Sequence, residues 1–127
     1  MKSLFINKTK ATPEINFNYE KNYLQIVGES YPENARIFFK DSLAWISEYL
    51  EDKNRNIVFD LKITYLNTSS SKIVTEILEF LQDYHNSNGK ILLNWFYEED
   101  DEDSKDNGEI FLEDHTFPYE LIPFLDE

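Results

Sequence analysis

Four consecutive hydroxyl side chains at residues 68–71, Thr-Ser-Ser-Ser, are the strongest chemical signal in this 127-residue chain. They follow Asn67 and precede apolar residues at helical spacing, which predicts that they lie at the N-terminus of a helix. One hydroxyl is favoured there because its oxygen accepts a hydrogen bond from a free backbone N–H group. A phosphate would also be favoured, because it would face unpaired N–H groups and the positive end of the helix dipole, with Lys72 nearby as a counter-charge. Both interpretations, a helix cap and a phosphorylation site, stay open at this point.

The chemistry of most enzymes is missing from the composition. The chain has no cysteine, which excludes thiolate catalysis and zinc–thiolate sites, and its three glycines cannot supply a Gly-rich phosphate loop. His85 and His115 lie thirty residues apart and form no metal-binding motif. We therefore expect a protein that is not an enzyme and that has no cofactor and no metal.

The net charge of −13 limits the partners of the chain. Nucleic acids and anionic membranes are disfavoured, because both bind through clustered Lys and Arg. No segment reaches the roughly 18 apolar residues of a membrane span, and the N-terminus lacks the apolar core of a secretory signal. We expect a cytoplasmic protein without direct membrane insertion.

The acidity is concentrated in residues 98–114, where ten carboxylates stand against Lys105. Such a run repels itself, so the pattern predicts a solvated acidic loop at about 98–109. Calcium binding is disfavoured, because an EF-hand register would put Lys105 and Asp114 at positions that require other ligands. A docking surface for a basic partner is the other alternative.

The hydrophobic periodicity predicts one α/β domain over residues 1–127, with two main helices packed on a mixed sheet. The expected order is β-β-α-β-α-β with a final strand after it. An opening hairpin spans 15–27, the first helix about 34–52, and the third strand begins at 56. The second helix ends near 85, the fourth strand spans 90–97, and the final short strand lies within 109–117.

The segment Gly-Glu-Ser-Tyr-Pro-Glu-Asn at residues 28–34, here the GESYPEN segment, connects the second strand to the first helix. In a parallel arrangement Glu29, Tyr31, Pro32 and Asn34 would lie at the same end of the sheet as Thr68. They form either part of a partner-binding surface or a rigid turn and cap.

The GESYPEN segment, the Tyr-Leu-Asn-Thr-Ser-Ser-Ser-Lys segment at 65–72, and Trp-Phe-Tyr at 95–97 before the acidic run resemble the SiaC-type regulatory phosphoproteins over nearly the whole chain. The resemblance implies a STAS-like fold and a bacterial partner-switching system. It further implies that a dedicated serine/threonine kinase phosphorylates Thr68 and that a PP2C-type phosphatase removes the phosphate. The unphosphorylated form is expected to bind and activate a diguanylate cyclase, and so to affect c-di-GMP signalling and biofilm formation.

The resemblance and the residue pattern together assign a role to each member of the segment. Thr68 is the switch and Lys72 supplies a supporting charge, whereas the neighbouring polar residues shape the loop and cap the helix: Asn67, Ser69, Ser70 and Ser71. The alternative function is a binding module that holds a small phosphorylated ligand or nucleotide at the same helix N-terminus. An enzyme that uses carboxylates is a third and weaker hypothesis.

Overall fold

The computed structural model describes residues 1–125, which form a mixed α/β domain with a six-stranded sheet and three helices. The strands are β1 (Leu4–Ile6), β2 (Glu14–Asn18), β3 (Tyr23–Ser30), β4 (Asn56–Leu66), β5 (Lys90–Glu98) and β6 (Tyr119–Phe124). The helices are α1 (Ala35–Tyr49), α2 (Thr68–Asn86) and α3 (Glu102–Leu112).

The strands lie in the sheet in chain order, β1 to β6. The first three pair antiparallel, and β3 to β6 pair parallel with a helix in each connection. The predicted α/β class and mixed sheet are therefore confirmed, as are the opening hairpin and both main helices. The parallel arrangement places the C-terminal ends of β3 and β4 side by side, because Ser30 is in register with Leu66.

One face of the sheet is buried under the helices. Alternate residues of β4, among them Phe59 and Leu61, are in register with Leu93 and Trp95 of β5 and are almost fully buried. The helices contribute Phe39, Ile46, Ile77 and Leu81 to the same core. This alternation is typical of a sheet with one covered face.

No helix of residues 1–125 packs on the opposite face of the sheet, where polar side chains alternate with the core residues. Gln25, Asp60 and Asn94 are neighbours across three strands. Asp60 is only 8% exposed and accepts hydrogen bonds from the Tyr23 hydroxyl and from Asn94 Nδ2. These bonds compensate for the burial of a carboxylate on this face.

The prediction of an acidic loop at about 98–109 was wrong for most of its length, because α3 begins at Glu102. Asp101 caps this helix by accepting from the N–H groups of Asp103 and Ser104, and Glu102 and Asp103 lie in its first turn. Carboxylates are stabilised at that position by the helix dipole, which offsets their mutual repulsion. Packing of Phe111 and Leu112 into the core then holds the helix on the sheet.

The predicted final strand was also misplaced. Residues 109–112 belong to α3, and the final strand is β6 at Tyr119–Phe124, parallel to β5. This strand contains Pro123, which is tolerated because β6 lies at the edge of the sheet. The short strand β1 at the other edge was not predicted.

Candidate phosphorylation and partner-binding site

Asn67 organises the start of α2. Its side-chain Oδ1 accepts a hydrogen bond from the Ser70 N–H at 2.9 Å, which makes it the N-cap residue, and its Nδ2 donates to the Pro32 carbonyl at 2.8 Å. Its backbone N–H donates to the Ser30 carbonyl at 3.0 Å. One residue therefore caps the helix and ties it to the GESYPEN segment.

The three serines of the segment are occupied by structural contacts. Ser70 is fully buried and shares a 2.7 Å hydrogen bond with Ser30. Ser71 donates to the Asn67 carbonyl at 3.1 Å. Ser69 Oγ lies 3.4 Å from the Ala35 N–H, which donates to it from the first turn of α1.

Thr68 differs from these serines because its side chain is exposed to solvent. It is the first residue of α2, where backbone N–H groups have no partner within the helix. Lys72, also exposed, lies one turn further on the same face of the helix. The ion pairs of residues 1–125 are Arg36–Glu76 and Arg55–Asp52, so the Lys72 ammonium group has no carboxylate partner there.

The structure brings part of the GESYPEN segment to the start of α2. Pro32 is joined to Asn67, and the Tyr31 ring packs edge-on against the Tyr65 ring with centroids 5.9 Å apart. Asn34 caps α1 by accepting from the Ile37 N–H at 3.3 Å. The two segments, separated by more than thirty residues in sequence, thus form one continuous surface.

Glu29 is exposed and lies at the same end of the sheet. After the register shift that follows Gly28, it is in register with Tyr65, next to the pair formed by Ser30 and Leu66. It also lines a groove that none of residues 67–72 lines. The structure therefore places Glu29 at the sheet end where α2 begins, together with Tyr31, Pro32 and Asn34.

Two exposed apolar residues flank the site and were missed as site residues. Tyr65 is 56% exposed at the end of β4, and Ile37 is 73% exposed in the first turn of α1. Ile37 falls outside the helical spacing of Phe39, Leu43 and Ile46, which is a signal that the sequence contained.

Within residues 1–125, no three His, Asp or Glu side chains lie close enough to hold a metal ion together. None of their helices is both long enough and apolar enough to cross a bilayer.

An exposed hydroxyl at a helix N-terminus is a position where a phosphoryl group can be accommodated. A sequence model described as SiaC family regulatory phosphoprotein matches residues 6–124. The chain belongs to the SiaC family. Members of this family are regulators that act through another protein and are not enzymes.

Individual relatives agree with this assignment. An uncharacterised protein of Pseudomonas aeruginosa strain UCBPP-PA14 is 35% identical over 121 residues, covering 95% of this chain and 96% of the relative. The crystal structure of apo-SiaC from P. aeruginosa is 34% identical with a TM-score of 0.90, over 96% of this chain and 99% of that one. A crystal structure of the diguanylate cyclase SiaD in complex with its activator SiaC, from the same organism, contains a chain that is 34% identical with a TM-score of 0.91, over 95% and 99% of the two chains.

Proposed function

We propose that this protein is the phosphorylation-controlled activator of a diguanylate cyclase, with Thr68 as the phosphorylated residue. The observation that supports Thr68 most strongly is its exposure, since the adjacent serines are bonded to Ser30, Ala35 and Asn67. A kinase can reach the Thr68 hydroxyl without opening the helix. The SiaC of P. aeruginosa, which has the same fold, is named as the activator of a diguanylate cyclase.

The surface around Thr68 suits the unphosphorylated form for binding. Ile37 and Tyr65 are exposed apolar groups, and Tyr31 and Pro32 extend the surface beside them. A partner that packs flush on these side chains would exclude water from the Thr68 hydroxyl as well. The cost is small for a hydroxyl, which can find a hydrogen-bond partner in the interface.

Phosphorylation would reverse this preference. A phosphoryl group adds a charge of about −1.5 to −2, and burying it against an apolar partner carries a large desolvation cost. On the free protein the same group would be stabilised by the unpaired N–H groups of the first turn and by Lys72. The change in affinity needs no large change in conformation.

A dedicated serine/threonine kinase adds the phosphate in this scheme, and a PP2C-type phosphatase removes it. The output is the activity of the cyclase, and hence the cytoplasmic concentration of c-di-GMP and the formation of biofilm. The protein itself performs no catalytic step.

Phosphopeptide mapping after reaction with the cognate kinase tests the assignment of the site. We expect one phosphate at Thr68 in the unmodified sequence and none in the Thr68→Ala variant. Ser69→Ala is the matched control, because it removes the neighbouring hydroxyl and should leave phosphorylation of Thr68 unchanged. A phosphate on one of the serines in the unmodified protein would show that the assignment is wrong.

A further inference from the structure

A groove on the uncovered face of the sheet concentrates positive charge in a chain whose net charge is −13. It has a volume of about 640 Å³ and lies between the loop at residues 7–13, the C-terminal parts of β3 and β4, and the end of β6. Three of its lining residues are Lys8, Lys10 and Lys62, and within the described residues Glu29 is the one carboxylate among them. We call it the lysine groove.

Lys62 lies in the groove, and among residues 1–125 it has no carboxylate partner. It lies on the central strand β4, and its Nζ stands 4.3 Å from the centroid of the Phe124 ring. The two ion pairs found in residues 1–125 do not include it. An aromatic ring attracts the ammonium group but does not occupy its N–H donors as a carboxylate does, so these donors stay available to an anion.

The loop that contributes the other two lysines is held by hydrogen bonds. The Thr9 and Thr12 hydroxyl oxygens lie 2.6 Å apart, and Thr9 Oγ1 also accepts from the N–H groups of Ala11 and Thr12. Because the Thr9 oxygen already accepts two bonds, its own hydrogen is best donated to Thr12. The hydrogen of the Thr12 hydroxyl is then left as a donor in the wall of the groove.

The same loop is anchored to β3 at Gly28. This residue has a φ of +131°, and a Cβ atom there would lie 3.3 Å from Pro13 Cα, so glycine permits the close approach. The Tyr31 N–H donates to the Ala11 carbonyl at 2.8 Å. Lys8 and Lys10 are therefore presented by a fixed loop, which lowers the entropic cost of binding a ligand between them.

We propose that the lysine groove binds a small phosphate-bearing anion of the nucleotide class. Its volume falls in the range of about 300–1,000 Å³ that is usual for small-molecule sites. Three ammonium groups and a hydroxyl donor suit several anionic oxygens, and Val27 and Leu125 offer apolar contact to the uncharged part of the ligand. An acidic protein segment would need an extended track instead of a concave site, so the geometry favours the small ligand.

The lysine groove is independent of the phosphorylation site. Its lining includes none of residues 67–72, and it lies on the face of the sheet opposite the helices. An incorrect assignment of Thr68 would therefore leave the proposed ligand site unaffected, and the reverse also holds. It also differs from binding of a phosphorylated ligand at the N-terminus of α2, because Lys62 and Lys10 would have no effect on that site.

Isothermal titration calorimetry of the full chain with pyrophosphate, GTP and neutral guanosine tests the proposal. The variants are Lys62→Met and Lys10→Met, with Lys40→Met on the exposed face of α1 as the matched control that removes the same charge elsewhere. We expect saturable binding of the phosphate compounds and not of guanosine. Lys62→Met and Lys10→Met should each weaken the binding of the phosphate compounds about tenfold, because each removes one charge-assisted hydrogen bond. Lys40→Met should leave this binding unchanged.

The comparison of ligands distinguishes their source. Tighter binding of GTP than of pyrophosphate would support a nucleotide ligand, and equal binding would overturn the nucleotide class in favour of an inorganic polyphosphate. The proposal would be overturned if neither pyrophosphate nor GTP gave saturable heat, or if all three variants weakened binding equally. Binding of an oligoglutamate peptide in place of the phosphate compounds would also overturn it. Lys10 lies in an exposed loop, so its variant remains informative even if Lys62→Met lowers the thermal unfolding midpoint.

Discussion

Thr68 and the serines beside it have the same functional group but different surroundings. Ser70 is buried against Ser30, whereas Thr68 is exposed at the first position of α2. The sequence alone could not separate them, because a run of hydroxyl residues gives each the same local pattern. The distinction comes from the N-cap at Asn67, which sets where the helix begins and therefore which side chain points to solvent.

Asn67→Ala should destabilise the fold. The substitution removes the cap to the Ser70 N–H and the bond to the Pro32 carbonyl, so we expect a loss of about 1–3 kcal/mol in the free energy of unfolding. Urea denaturation measures it.

Asn54→Ala is the control for this prediction, since Asn54 is exposed and lies outside both main helices. It should change the free energy of unfolding by less than about 0.5 kcal/mol. Equal stability of the two variants would contradict the role given to Asn67.

Tyr23 makes stability depend on pH in the alkaline range. Its hydrogen bond to Asp60, together with burial and the nearby negative charge, raises the pKa of Tyr23 to about 12. In the unfolded chain the pKa is about 10. The protonated tyrosine stabilises the fold fully below pH 10, and this contribution is lost as the pH rises through 12.

As the pH rises from about 10 to about 12, the free energy of unfolding should therefore fall less for the Tyr23→Phe variant than for the unmodified protein. Urea midpoints across this range provide the measurement. Tyr119→Phe, on a partly exposed residue at the sheet edge, should retain the dependence of the unmodified protein. Parallel curves for the unmodified protein and Tyr23→Phe would disprove the assignment.

At the scale of elements, α3 is the clearest difference between sequence and structure. Charge repulsion in the acidic run predicts a loop, but the helix dipole and the cap at Asp101 stabilise a helix there. The strands and the two main helices were predictable, because their apolar residues recur with clear periods of two and 3.6. The packing of α3 depends on long-range contacts, chiefly with Trp95, that no local pattern reports.

Gly108→Ala should loosen α3. A Cβ atom at this position would lie 2.5 Å from Trp95 Nε1, which is too close, so the helix or the indole ring must move. We expect a loss of about 1–3 kcal/mol in the free energy of unfolding despite the higher helix propensity of alanine. Thermal or urea unfolding measures the loss.

Asn107→Ala is the matched control, because its side chain is exposed in the same turn of α3. It should leave stability unchanged or raise it slightly. If Gly108→Ala were as stable as this control, α3 would not be packed on Trp95 as described.

At the scale of the whole molecule, the most useful prediction was that the GESYPEN segment lies beside the segment at residues 65–72. The expectation that Tyr31, Pro32 and Asn34 lie at the same sheet end as Thr68 followed from the parallel order of β3 and β4, and the structure has that arrangement. The position of Glu29 beside Tyr65 could not be foreseen, because it depends on the register shift that follows Gly28. The exposure of Ile37 and Tyr65 likewise depends on which surfaces the helices leave open.

In the proposed function, regulation acts at the surface of the molecule and not through a rearrangement of its core. The contacts of Asn67 and Ser70 fix the start of α2 from within, so a phosphate on Thr68 changes the charge of a surface that keeps its shape. Affinity for the partner then depends on whether that charge must be desolvated.

The most direct test is a titration of the cognate diguanylate cyclase with the unmodified protein and with the protein phosphorylated at Thr68, following both binding and cyclase activity. We predict that the unmodified protein binds and activates the cyclase, and that phosphorylation weakens binding by at least about tenfold, or 1.4 kcal/mol. Treatment with a PP2C-type phosphatase should restore both. Equal affinity and equal activation by the two forms would contradict the central claim that the charge on Thr68 controls the partner.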